Sequence, residues 1–258
     1  MKILKTLTIA FLLTAIAPVS AQTADEILNN YFENTGGIEN WKAIKGIQFE
    51  GKVNFQGMEL PVEMIQTKDG KSMAKASFQG QNFYQNVFDG ETLWSTNQMT
   101  MQEEKSDAEA TGNYKNEIND FLSPFIDYKQ NGYTVELIGK ETIEGTETYK
   151  IKLVKEPVMV DGKEEQDISF HYFDTENFVP IVVEQEVKSG PAAGMVSQTK
   201  LSDYQEVSGL YFPFSILEGA KGQPGGQAIT ITNIILNPEV DDAIFAFPVT
   251  ETNPVIKE

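Results

Sequence analysis

The residue that most invites a chemical role is His171, the one histidine in 258 residues. An imidazole works as a general base beside a nucleophile it can deprotonate, and Ile168-Ser169-Phe170-His171-Tyr172-Phe173 carries no nucleophile-elbow pattern. Nor can a single imidazole assemble a histidine zinc site. The chain has no cysteine, which excludes disulfides, thiolate metal sites and a cysteine nucleophile together. His171 therefore reads as a structural or surface residue.

The 38 acidic residues could supply the carboxylate pair of a glycosidase. Glu59, Glu63, Glu184 and Glu186, however, fall in the polar phase of alternating segments, which predicts a solvated outer face. The acidic stretch 161–167 lacks the ligand spacing of an EF-hand loop and reads as a hairpin tip. The Gly-rich stretch 219–226 lacks the Gly-Lys-Ser/Thr order of a phosphate loop. All 20 basic residues are lysines, so bidentate arginine clamps for carboxylate or phosphate are missing. A net charge of −18 argues against nucleic acid as a partner and against general attraction to anionic lipid headgroups. These residues describe a binding protein and not an enzyme, with no metal and no cofactor.

The elements that would position a binding site begin after residue 21. Lys2 and Lys5 precede the apolar run 7–17, and Val19-Ser20-Ala21 resembles a cleavage triplet, so residues 1–21 read as a signal peptide cleaved after Ala21. The run is too short for a membrane span of about 20 apolar residues. The absence of cysteine also excludes a lipid-modified N-terminus. Residues 22–258 are expected to form one domain in the periplasm, as a monomer.

Thr23-Ala24-Asp25-Glu26 has capping-box spacing, and Ile27, Leu28, Tyr31 and Phe32 follow on one helical face up to Gly36-Gly37. A short helix over 38–44 turns Trp41 inward. From Ile47 the period changes to two, with Ile47, Phe49, Gly51, Val53 and Phe55 in one phase. Turn residues then punctuate strands predicted at 58–64, 71–79, 81–88, 91–97 and 98–105. The segment 107–128 returns to helical spacing, with Pro124 kinking or ending it, and reads as a lid-like insertion. Strands resume at 133–140, 147–155, 166–173, 178–188, 195–206, 210–218 and 227–236. So many antiparallel strands must curl, and the two helical segments are available to plug the concavity.

The closing passage carries the most specific pattern: Asp203-Tyr204-Gln205-Glu206-Val207-Ser208-Gly209-Leu210-Tyr211-Phe212-Pro213, then Ile234, Asn237-Pro238, Asp241-Asp242 and Phe245-Ala246-Phe247-Pro248. With Tyr31, Gly36-Gly37 and the Trp41-to-Gly51 approach to the first strand, it resembles bacterial outer-membrane lipoprotein-sorting proteins of the LolA-like family, in a Bacteroidetes-type form. The resemblance covers nearly all of the chain after residue 21. It implies a mainly β fold, an incomplete, half-open antiparallel barrel of about eleven strands with a helical plug or lid. It also implies a cavity for acyl chains, and a carrier that takes lipoproteins from an inner-membrane transporter to an outer-membrane acceptor. Moving one sixteen-carbon chain into water costs on the order of 12 kcal/mol, so an acyl chain needs such a shelter to cross an aqueous compartment. Family carriers hold their lid with a strand arginine; this chain has none, so lid control must use other groups. The same resemblance extends to sensor domains, and an envelope-stress sensor or interaction domain that recognises lipoprotein or unfolded peptide is the alternative. It would need a second partner-binding domain, which the sequence does not show.

The lipid-binding lining expected from the apolar phase is Phe49, Val53, Phe55, Leu60, Val62, Phe83, Trp94, Ile151, Leu153, Phe170, Tyr172, Ile181 and Val183. Met58, Met64, Met73, Met99 and Met101 offer it pliable side chains. Ile244, Phe245 and Phe247 are expected to tuck the C-terminal segment against the core.

Overall fold

The computed structural model describes residues 22–55 and 57–248; the proposed leader and residues 249–258 lie outside it. The N-terminal helix α1 (Ala24–Asn34) starts on the capping box: Thr23 Oγ1 accepts from the Glu26 amide, and Glu26 Oε2 accepts from the Thr23 amide at 2.8 Å. Gly36 and Gly37 then take positive φ, which glycine alone adopts freely. A Cβ on Gly36 would stand 2.0 Å from the Gly209 carbonyl oxygen, so the turn after α1 is pressed directly onto the sheet. A second short helix, α2 (Ile38–Ala43), leads into the strands.

Six strands follow as a meander: β1 (Gly46–Phe55), β2 (Met58–Thr67), β3 (Ser72–Phe78), β4 (Gln81–Phe88), β5 (Leu93–Thr96) and β6 (Glu103–Lys105). After α3 (Ala108–Ile118) and an irregular stretch come β7 (Thr134–Ile143) and β8 (Thr146–Val154), then the hairpin β9 (Val158–Val160) and β10 (Lys163–Glu165). The chain finishes with β11 (Ile168–Asp174), β12 (Pro180–Glu186), β13 (Val196–Val207), β14 (Leu210–Ala220) and β15 (Gln227–Leu236), and a 3-10 turn at Asp242–Phe245. Thirteen strands form one antiparallel sheet in the order β6-β5-β4-β3-β2-β1-β15-β14-β13-β12-β11-β8-β7, two more than the eleven or so expected. β9 and β10 form a separate two-stranded sheet where the sequence suggested only an acidic hairpin tip.

The sheet does not close. β6 and β7 are its two edges, yet they are consecutive in the chain, so segment 106–133 runs from one edge to the other. The result is a half-open barrel whose gap is spanned by α3 and the residues after it. α3 ends at Ile118, well before Pro124; Asn119 caps it, and the chain continues through turns.

Cross-strand partners of an antiparallel pair share a face, so the register assigns every side chain to one side. Phe49 pairs with Met64 and with Ile234, and all three belong to the main core, into which Ile27, Tyr31, Phe32 and Trp41 of the two helices pack. This helix-bearing side is the inner face. On the other side of β2 to β5, Ile65, Met73, Val87 and Trp94 form a second core covered by Val240, Phe245 and Phe247. A third, smaller core sets Ile118 and Tyr114 of α3 on Phe88 and Leu93, again on the inner face. Phe245 is fully buried and Phe247 half-buried as expected, but against the back of the first strands. Ile244 departs from expectation: it stays 37% exposed, because the 3-10 turn points it away from the sheet.

Candidate functional site

The inner face divides along the strands into a filled part and an open part. In the filled part Trp41 Nε1 donates to the carbonyl and to the hydroxyl of Thr35, each at 3.1 Å, and its ring lies 5.0 Å from that of Phe212. Tyr31 meets Phe173 edge-on at 5.6 Å, and Phe125, from the stretch after α3, meets Phe173 and His171. His171 is buried here, its Nε2 sharing a 2.9 Å hydrogen bond with Ser169 Oγ. Burial, assisted by the charge of Lys155, pulls its pKa down to about 3, so the ring is neutral. This agrees with a structural role.

Beyond the plug the inner face lies open. Val53 pairs with Leu60, Val62 with Ala76, and Ala76 with Phe83, so these side chains form an apolar wall across β1 to β4. Val53 is buried, Leu60, Val62 and Phe83 are half-buried, and at the rim the pair Phe55 and Met58 is 49% and 43% exposed. Such contiguous apolar exposure marks a surface that receives something. The opposite wall, β12 to β15, is mixed: Val183 pairs with Thr199, Thr199 with Glu218, and Glu218 with Gln227. Two clefts of about 420 and 270 Å³ lie elsewhere, one between α1 and residues 125–130, the other under β9. None of the thirteen expected lining residues borders either cleft.

The cover is held by polar ties. Lys155, just past β8, donates to Asp120 at 2.7 Å and stands 3.4 Å from Asp167. Tyr133 donates to the other oxygen of Asp120 at 2.8 Å. Burial works against the Lys155 charge, but the hydrogen bond it donates to Asp120 and the charges of the two carboxylates outweigh it and raise its pKa. Nearby Glu117 is pushed up by burial and by the charges of Asp167 and Asp120. Further along, Asn113 of α3 exchanges two hydrogen bonds with the backbone of Met159, and the Glu109 carboxylate accepts from the amides of Asp161 and Gly162. On the inner side of β3, the Tyr114 and Ser72 hydroxyls meet at 2.7 Å. Lys42 pairs with Asp127, and Asp25 accepts from both Tyr128 and Lys129.

The register brings nine of the expected lining residues to the inner face: Phe49, Val53, Phe55, Leu60, Val62, Phe83, Ile151, Leu153 and Val183; Ile181 falls at the register shift in β12, between Val182 and Pro180, where it has no cross-strand partner. Phe49, Ile151 and Leu153 lie within the plugged core, so the open part retains the others. Three require correction. Trp94 lies on the back face, donating from Nε1 to the Phe245 carbonyl at 2.9 Å. Phe170 and Tyr172 also point outward, because His171, their neighbour, pairs with inward-facing Ile151 and Val183. Their rings lie under the Lys150 ammonium, and Tyr172 donates to Glu184, which also accepts from Gln198 and Lys221. Glu184 is thus buried on this back face, and not solvated as its phase suggested. Of the methionines, Met64 faces inward, Met73 sits in the back core, and Met99 and Met101 are exposed in the β5–β6 turn.

Asp120 and Lys155 were absent from the expected set, and Met58 was expected only as one of the pliable methionines. The signal for Lys155 was present: it continues the inward phase of Ile151 and Leu153, where a lysine must find a partner.

No family model matches the chain, and no curated protein does. Solved structures do. A LolA superfamily protein from Nitrosomonas europaea superposes with a TM-score of 0.51 at 14% identity, over 88% of this chain and 99% of that one. A DUF1329 family protein from Desulfovibrio piger gives 0.50 at 12%, over 85% and 97%. A protein domain from Vibrio parahaemolyticus, described as outer membrane lipoprotein-sorting, gives 0.50 at 10%, over 85% and 94%. At these identities the likeness concerns the backbone, and on that ground the chain has the LolA-like fold.

Proposed function

We propose that this protein is a periplasmic carrier that shelters acyl chains, of lipoproteins or of another lipid, on the open part of its inner face. The observation that carries the reading is the uncovered apolar wall ending in Phe55 and Met58. Its setting supports the reading, since the Vibrio parahaemolyticus domain of the same fold is described as lipoprotein-sorting. Each methylene laid on that wall recovers about 0.8 kcal/mol, so a chain of a dozen carbons has a strong reason to leave water for it. Residues 106–133 act as the cover. Lys155 is the group that ties them down, supplying the anchor that an arginine-free chain needs.

On this reading the leader over residues 1–21 exports the chain, an inner-membrane transporter loads it and an outer-membrane acceptor unloads it. Native mass spectrometry of protein purified from its own cell envelope, with extraction of bound lipid, tests the binding step. A co-purifying acylated species is the expected result. An empty protein that also leaves a fluorescent fatty acid unbound overturns the proposal.

A further inference from the structure

The two walls of the open inner face differ in chemistry, and that difference bears on the polar end of the cargo. One wall is aliphatic and aromatic out to the rim. The other ends at the same rim in Thr199, Glu218 and Gln227, adjacent in register on β13, β14 and β15. The Glu218 carboxylate has neither a salt bridge nor a hydrogen-bond partner among the described residues, whereas Glu184 on the opposite side of the sheet has three donors. The lysines on these strands do not compensate. Lys52 and Lys200 stand one residue out of phase with Val53 and Thr199, face outward, and pair with Glu59 and Glu144. Lys221, just past β14, is drawn away to Glu184.

An acyl chain bound along the apolar wall therefore presents its head to a rim with a free carboxylate and no free ammonium on the inner strands. We infer that the site selects amphiphiles whose polar end is cationic, a primary amine being the simplest, and discriminates against anionic heads. This rests on the acyl-chain reading above. Desolvation pushes the Glu218 carboxyl up from its ordinary value, as expected for an acid with no compensating cation; a bound ammonium supplies that cation. The attraction is that of a rim charge. Attraction of a cation and repulsion of an anion by one partly screened carboxylate separate the two by about tenfold in affinity.

The test is displacement of a fluorescent fatty-acid analogue by three twelve-carbon amphiphiles below their micelle concentrations: dodecylammonium, dodecyl maltoside and laurate, at neutral pH and low salt. The expected order is dodecylammonium, then the neutral maltoside, then laurate, with about tenfold between the ends. Glu218→Gln is expected to collapse the separation between dodecylammonium and laurate, with a smaller change in the maltoside affinity than in that of either charged amphiphile. Equal binding of all three, tighter binding of laurate, or a preference that survives Glu218→Gln overturns the head-group inference and leaves the acyl-chain reading standing. Failure of all three and of the fluorescent probe to bind overturns both.

Discussion

Lys155 Nζ lies 2.7 Å from Asp120 Oδ2, with only 15% and 8% of the two side chains exposed, and this pair joins the sheet to the segment that spans its opening. Asp167, Glu117, Glu156 and Tyr133 gather around it, and one buried oxygen of Glu156 has no partner. The cluster holds four carboxylates and one ammonium. Removing the ammonium leaves buried acids uncompensated, which costs about 3–5 kcal/mol. Lys155→Met is therefore expected to lower the unfolding free energy by that amount at neutral pH and to speed amide hydrogen exchange in 108–133. Lowering the pH should restore part of the loss, since burial and the neighbouring carboxylates hold the Glu117 pKa up and protonating an acid of the cluster removes part of the uncompensated charge. Unchanged exchange in that segment would remove Lys155 from the role of anchor.

His171 supplies a second dependence on acid. Its folded-state pKa of about 3 lies below the ordinary 6.5, so the unfolded chain takes up the proton first. The stabilisation is full above about pH 6.5 and is lost as pH falls toward 3. Over that window this residue accounts for a few kcal/mol at most. His171→Gln, which keeps a hydrogen-bonding group near Ser169, should flatten the corresponding part of a stability-against-pH curve and leave lipid binding intact. Chemical denaturation at pH 7 and pH 4.5 reads the difference.

The two faces of the sheet should separate binding from stability. Leu60→Asp places a charge on the open wall and is expected to weaken fatty-acid binding more than tenfold, with a change in stability under about 1 kcal/mol because the residue is half-exposed. Trp94→Ala empties the back core and is expected to cost about 3–5 kcal/mol without altering affinity in the protein that remains folded. Fluorescence titration beside thermal unfolding distinguishes them. The opposite pattern would mean that cargo sits on the back face.

Gly36→Ala should destabilise the chain by about 2 kcal/mol or more. The new methyl meets the Gly209 carbonyl at 2.0 Å in a backbone conformation with φ of 110°. Gly57→Ala meets nothing within 4 Å and serves as the comparison, since it bears the conformational cost alone. Melting temperatures of the pair measure the price of the contact itself.

Much of the frame was legible from residue order. The capping box at Thr23, the Gly36-Gly37 stop and the alternation from Ile47 each rest on local chemistry and appear where expected. The side that each strand turns inward was legible only where its other side was wet. In β1 the residues Gln48, Glu50 and Lys52 gave the answer away. In β11 both sides are buried: His171 and Phe173 meet the plug, while Phe170 and Tyr172 lie beneath lysine stems and the Glu184 network. Apolarity then carries no direction, and the larger rings misled. Trp94 misled for the same reason, because the segment that covers it arrives some 150 residues later.

The pairing of β1 with β15 sets a condition on when this protein can exist in finished form. The first strand made lies at the middle of the sheet, beside the last, and Ile47 waits for Leu236. Neither half of the sheet has its central neighbour until nearly the whole chain is available. Contacts so distant in sequence form slowly, on the scale of milliseconds to seconds. A nascent chain of this design thus stays unfinished while it is being made, the state in which a polypeptide can be threaded across a membrane.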